Sequence, residues 1–165
     1  MTSDELRSEL QGSRERLLRP LRGLSEEQFR YIPDGESWNI ATHLAHLLRV
    51  ERVFTERARK AITEDQPAVP ATGALNDDDP ALAQHLAVPQ IVHGLQAAQR
   101  DLELVLDSDA GLDRRVVHER LGPMTVADIA AKIASHEREH TAEIERLARL
   151  ALAASRVIIP ITQRS

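Results

Sequence analysis

The chain has 165 residues, a hydrophobic fraction of 42% with aromatics at only 2%, no cysteine, and a formal charge of -5 from 26 acidic and 21 basic side chains. That length suits one domain with a real core, and the acidic balance argues against nucleic acid, which asks for a concentrated basic surface. Without cysteine there are no disulfides, thiolate ligands or cysteine nucleophile, so any metal must rest on histidine, carboxylate or water.

The start, Met1-Thr2-Ser3-Asp4-Glu5, has neither the basic opening nor the apolar run of a signal peptide, and no stretch approaches the ~20 apolar residues that span a bilayer. The expectation is a soluble, cytoplasmic protein without a membrane partner. An aliphatic composition poor in aromatics suits closely packed helices.

Leu6, Leu10, Leu17, Leu18 and Leu21 recur at helical spacing and predict a first helix from about Ser3 to Leu21. Pro33-Asp34-Gly35-Glu36-Ser37 reads as a loop. Asn39 is a good N-cap for a second helix whose stripe is Ile40, Leu44, Leu47, Val50 and Phe54, continuing towards Ile62. Residues 63 to 80 hold Pro67, Pro70, Gly73, Pro80 and the run Asp77-Asp78-Asp79, a composition for a long connection. A short helical piece at 80 to 87 precedes Pro89, which can open a third helix carrying Ile91, Val92, Leu95, Ala98, Leu102, Val105 and Leu106, with Gly111 just beyond its end. Residues 116 to 124 read as a loop, and Thr125 with Asp128 forms a capping-box pattern before a fourth helix bearing Val126, Ile129, Ile133, Ile144, Leu147 and Ala151. No segment joins β-branched alternation to hairpin punctuation. The reading is all-α, a four-helix bundle over residues 1 to 155 with one long crossover, followed by a tail at 156 to 165 whose apolar Val157 to Ile161 must be covered somewhere.

Chemistry concentrates in His136-Glu137-Arg138-Glu139-His140. Histidines four apart on a helix share a face and suit a single divalent ion. On a wheel advancing about 100° per residue, His136, Glu137 and His140 all fall at the core or its margin. Two imidazoles buried among aliphatic side chains need partners; a shared metal supplies one, and hydrogen bonds are the alternative. The second helix offers His43 and His46, with Glu51 further along. Periodicity places His43 nearer the centre of the apolar stripe and His46 towards one edge, a mild preference for His43, but ligands at helix–helix boundaries often sit off the central stripe, so both remain open. His85 and His93 lack ligand-spaced partners and read as surface or satisfied polar groups, and the loop residue His118 reads as a solvated histidine, with a place lining a pocket entrance as the alternative.

H-E-x-x-H is also the zinc-protease signature, in which the glutamate is the general base. That reading needs a third ligand downstream and a sheet edge to hold substrate. Only 25 residues follow His140, and Glu143 and Leu147 stand where the extended motif has glycine and histidine.

Two blocks, Ser37-Trp38-Asn39-Ile40 with His46-Leu47 and Glu51, and Gly122-Pro123-Met124-Thr125 leading to His136, Glu137, His140 and Ile144, resemble the DinB-like or YfiT-like helical-bundle metalloproteins from about residue 5 to 150. The resemblance implies a bundle with up-down-down-up connectivity and a three-histidine site on His46, His136 and His140. It implies a divalent ion, zinc or nickel, a small-molecule substrate, a homodimer, and in some branches transfer or isomerisation dependent on a low-molecular-weight thiol. Glu137 then becomes a candidate base or ligand-orienting group. Glu143 stands where such proteins frequently carry glutamine, adding negative charge near the site. The expected function is a metal-dependent transferase or hydrolase that activates water or a thiol. The alternative is a non-enzymatic, stress-linked bundle whose metal is structural or senses a ligand.

Overall fold

A computed structural model describes residues 1–71 and 79–157. Its elements are α1 (Ser3–Leu18), α2 (Glu26–Phe29), α3 (Ile40–Thr63), β1 (Ala68–Val69), α4 (Asp79–His85), α5 (Val88–Val105), β2 (Arg115–His118), β3 (Gly122–Thr125) and α6 (Val126–Val157). The long helices α1, α3, α5 and α6 are the four expected. Their starts follow local chemistry. Thr2 and Glu5 form a capping box at α1, Asn39 Oδ1 accepts from the Thr42 amide at α3, and Thr125 and Asp128 cap each other's backbone at α6. Pro89 lies in the first turn of α5, where its missing N–H costs nothing.

Helix directions follow from the core, which is split in two. One apolar cluster joins Leu6 and Leu10 to Phe54, Ala58, Leu102, Leu106, Val126, Ile129 and Ile133. The other joins Leu17 and Leu21 to Ile40, Leu44, Leu47, Ile91, Leu95, Ile144 and Leu147. Thus α1 and α6 run from the first cluster to the second, and α3 and α5 run back, which is up-down-down-up. Because α3 and α5 are parallel, the chain between them must return the length of the bundle. That return is the expected crossover, and the predicted helical piece within it is α4.

Between the clusters lies a polar layer of Arg14, Glu51, Glu137 and Gln99, all buried. Each sits on its helix's inward stripe, so the layer separates two aliphatic halves. Each half is held by burial contributing roughly 1.5–3 kcal/mol per large side chain.

Three expectations need correction. The first helix ends at Leu18, and Arg19–Leu21 tightens into a 3-10 turn at Pro20. Ser25 and Gln28 cap the additional short helix α2. The segment expected as a loop is a hairpin: β2 and β3 pair antiparallel, and β1 adds parallel to β2 through Ala68↔Val117 and Val69↔His118. These strands are too short for alternation to register, and the turn depends on Gly122 at φ 71°. Such a sheet is a patch on the bundle's end and leaves the all-α class intact. α6 continues to Val157; the tail from 158 onward lies outside the described residues. Among the described residues no helix is long and apolar enough to cross a membrane.

Candidate metal centre

The antiparallel pairing of α3 and α6 sets His43 opposite His140 and His46 opposite His136. His46 Nε2 lies 3.1 Å from His136 Nε2, and His140 Nε2 lies 3.1 Å from the same atom. One nitrogen from each of the three rings lies within 4.8 Å of the others. Each ring nitrogen carries one hydrogen or one in-plane lone pair, so His136 Nε2 can make a well-aligned hydrogen bond to only one of its two neighbours. A cation at their centre resolves the conflict. Metal–imidazole bonds of about 2.0–2.1 Å in tetrahedral geometry set nitrogens roughly 3.3 Å apart, close to the two 3.1 Å separations from His136, with the third pair within 4.8 Å. The donor set therefore fits one divalent ion with positions left for water or substrate.

His43 takes a different place. Its Nδ1 is 2.8 Å from Nδ1 of His140, on the side of that ring turned away from the other two histidines. Trp38 covers the group: its ring meets His43 edge-on at 5.1 Å, lies tilted over His46 at 5.3 Å and stacks on His140 at 6.2 Å. The cap at Asn39 fixes the chain immediately before α3, which is why Trp38 reaches histidines one and two turns into the helix. The loop before it is tied down by Glu36, whose two carboxylate oxygens accept from Arg146 at 2.8 and 2.7 Å. Arg146 also donates to Glu143.

Burial disfavours the charged imidazole, and neighbouring histidines add to it. His140 is pushed down to about 3, by burial first and then by His136, His43 and His46. Burial likewise takes His43 down to about 4, against the attraction of Glu143. His136 is lowered by burial and His46. These rings are neutral at pH 7, with lone pairs open to a metal without competition from protons.

Glu137 points into the polar layer. Its Oε2 accepts from Arg14 Nε at 2.8 Å, Arg14 Nη2 donates to Glu51 Oε2 at 2.6 Å, and Arg14 Nη1 donates to the Leu95 carbonyl at 2.6 Å. One cation serves two buried carboxylates. Burial alone would depress the guanidinium, but the two glutamates outweigh it and raise its pKa. Glu51 is raised to about 7, chiefly by burial, with Arg14 opposing and Glu137 reinforcing. A cavity of about 10 Å³, bounded by Leu47, Val50, Glu51, Ile133, His136 and Glu137, lies where this layer meets His136.

The structure therefore gathers His46, His136 and His140, adds His43 behind His140, and gives Glu137 and Glu51 to Arg14. Glu143 is exposed at the surface. His85 and His93 are exposed, as expected. His118, expected to be solvated, is buried, and its Nδ1 accepts from the amides of Arg120 and Leu121 in the β2–β3 turn. Arg14 escaped the sequence reading, although a lone arginine on the stripe of Leu10 and Leu17 is a detectable signal.

The solved structure of YfiT from Bacillus subtilis, described as a probable metal-dependent hydrolase with an unusual four-helix bundle topology, superposes with a TM-score of 0.76 at 18% identity, covering 90% of this chain and 86% of that one. At that identity the likeness speaks to the fold. A protein of Oceanobacillus iheyensis named "Putative metal-dependent hydrolase OB0413" is 26% identical over 135 residues, 79% of this chain and 76% of its own length. The DinB superfamily profile matches residues 9–144, spanning all three converging histidines, and the chain belongs to that superfamily.

Proposed function

We propose that this protein is a metal-dependent enzyme of hydrolase or thiol-transferase type, holding one divalent ion, zinc or nickel, on His46, His136 and His140. The observation that carries the reading is the convergence of three Nε2 atoms at separations suited to a shared cation. The names of the two similar proteins favour hydrolysis. A bound ion would supply the positive charge that favours ionisation of water or a low-molecular-weight thiol near neutral pH.

The chain's own residues do the rest. His136 and His140, kept neutral by burial, present their lone pairs beside His46, and Trp38 walls one side so that a small-molecule substrate approaches over a partly dry surface. His136 and His140 are half-buried rather than sealed, so the ligand face remains open. Glu137 acts on its neighbour His136 by anchoring that turn of α6 to Arg14. It would serve as a base only by giving up its ion pair.

Metal analysis of tag-free protein tests the reading. Stoichiometric divalent metal is expected in the wild type and in Glu143→Ala, and loss of it in each of His46→Ala, His136→Ala and His140→Ala. Full retention in all three histidine variants refutes the site. Turnover of ester, amide or thiol-conjugate substrates by metal-loaded protein then separates catalysis from a purely structural ion, for which chelation would melt the fold, whereas a metal-stripped protein that stays folded but loses small-molecule binding speaks against that role.

A further inference from the structure

We propose that His43 is a positioning residue that sets the tautomer and ring orientation of His140 for metal binding. The inference rests on the three-histidine reading and concerns a side chain outside that triad.

The argument is one of hydrogens. If His140 Nε2 is to offer its lone pair towards His136 and His46, the single hydrogen of the neutral ring must sit on Nδ1. That hydrogen then points at His43 Nδ1, 2.8 Å away. His43 Nδ1 must accept, which places the hydrogen of His43 on its own Nε2. Both tautomers are thereby determined by one contact. The arrangement is the histidine counterpart of the carboxylate–histidine–metal relay, with a neutral acceptor in place of an anion.

Three features hold His43 to this task. It is buried, so water does not compete strongly for the hydrogen of His140. Trp38 meets its ring edge-on at 5.1 Å, restricting rotation. It lies three residues before His46 on α3, so the turn that supplies one ligand also supplies the orienter of another. A neutral acceptor adds no charge to a site that already faces the Glu36–Arg146–Glu143 cluster through His43.

The test compares His43→Leu, which removes the acceptor, with His43→Asn, whose amide oxygen can occupy the Nδ1 position. Zinc affinity is read by competition with a chromophoric chelator, and thermal unfolding of the metal-free proteins reports folding. His43→Leu is expected to bind zinc 10–100-fold more weakly than wild type, and His43→Asn to recover most of that loss. In zinc-loaded wild type, ¹⁵N-histidine NMR should show His140 protonated at Nδ1, with a hydrogen-bonded, slowly exchanging proton. Leucine binding within twofold of wild type, asparagine binding as weakly as a folded leucine variant, or a His140 protonated at Nε2 each overturns the proposal. Should the leucine variant fail to fold, the asparagine affinity and the wild-type NMR still decide. A wild type that binds no divalent ion overturns the metal reading itself, and this inference with it; a wild type that binds zinc while His43→Leu binds equally well overturns only this inference.

Discussion

Replacing Glu51 by glutamine should stabilise the metal-free protein relative to wild type as pH rises, reversing the usual expectation for breaking an ion pair. Glu51 is 3% exposed, and its pKa is raised from 4.5 to about 7, by burial above all. A folded-state pKa above the unfolded value means that the native state holds the proton more tightly. The associated stability is complete below about pH 4.5 and is lost as pH rises to about 7. A shift of this size, with the opposing attraction of Arg14 already included, corresponds to roughly 3 kcal/mol at 1.36 kcal/mol per unit. Glutamine keeps an acceptor for Arg14 Nη2 but cannot ionise, and it leaves Arg14 balanced by Glu137 alone. His43 and His140 pull the other way in the same window: with pKa values depressed to about 4 and about 3, they cost stability as pH falls below about 6.5. They are common to both proteins and cancel in the difference. Urea unfolding of wild type and Glu51→Gln in the presence of chelator, at pH 5 and pH 8, gives the double difference directly. The expected result is a gain of about 2–3 kcal/mol for the variant on going to pH 8. A double difference near zero, or one in which the wild type gains as pH rises, would mean that Glu51 is ionised at low cost and that Arg14 compensates both carboxylates.

Arg14→Met should strand two buried carboxylates and destabilise by about 3–5 kcal/mol in urea unfolding, whereas Arg14→Met combined with Glu51→Leu and Glu137→Leu should recover much of that; a triple variant no better than the single refutes the charge argument. Trp38 is the chain's only tryptophan and packs against three of the four clustered histidines, so nickel or cobalt should quench its fluorescence saturably in wild type and not in His46→Ala. Gly122→Ala forces a side chain onto a backbone at φ 71° and should cost about 1–2 kcal/mol in thermal or urea unfolding, with zinc affinity unchanged, because the hairpin lies at the far end from the histidines.

How much of this was legible in the sequence depends on the range over which each signal acts. Caps at Asn39 and Thr125 are satisfied within three residues, and the leucine and isoleucine stripes repeat over several turns, so the long helices could be read locally. The β2–β3 hairpin could not: four-residue strands offer too little alternation, and β1 joins them from the distant crossover through backbone bonds that carry no side-chain code. Periodicity alone could not pick His46 over His43 for a related reason. A wheel ranks residues by distance from the apolar stripe, yet here the ring nearer the stripe faces the back of His140 while the ring at its edge faces the helix boundary where nitrogens converge. Burial is thus a poor guide to which rings converge when two helices share a site.

The polar layer shows a signal that was present and unused. Arg14 lies on the stripe of Leu10 and Leu17, Glu51 on that of Leu47 and Phe54, and Glu137 on that of Ile133 and Ile144. Single charges on otherwise apolar stripes are expensive unless they meet. One positive and two negative intrusions at mid-helix on three helices therefore predict a shared level in the bundle. That level fixes the vertical register of α1, α3 and α6, because sliding any helix by a turn would bury its charge against leucine. His46 stands five residues before Glu51, and His136 immediately before Glu137. The ion-pair layer thereby sets the height at which the histidines of α3 and α6 face one another, and the geometry of the histidine cluster is inherited from an electrostatic lock one turn away.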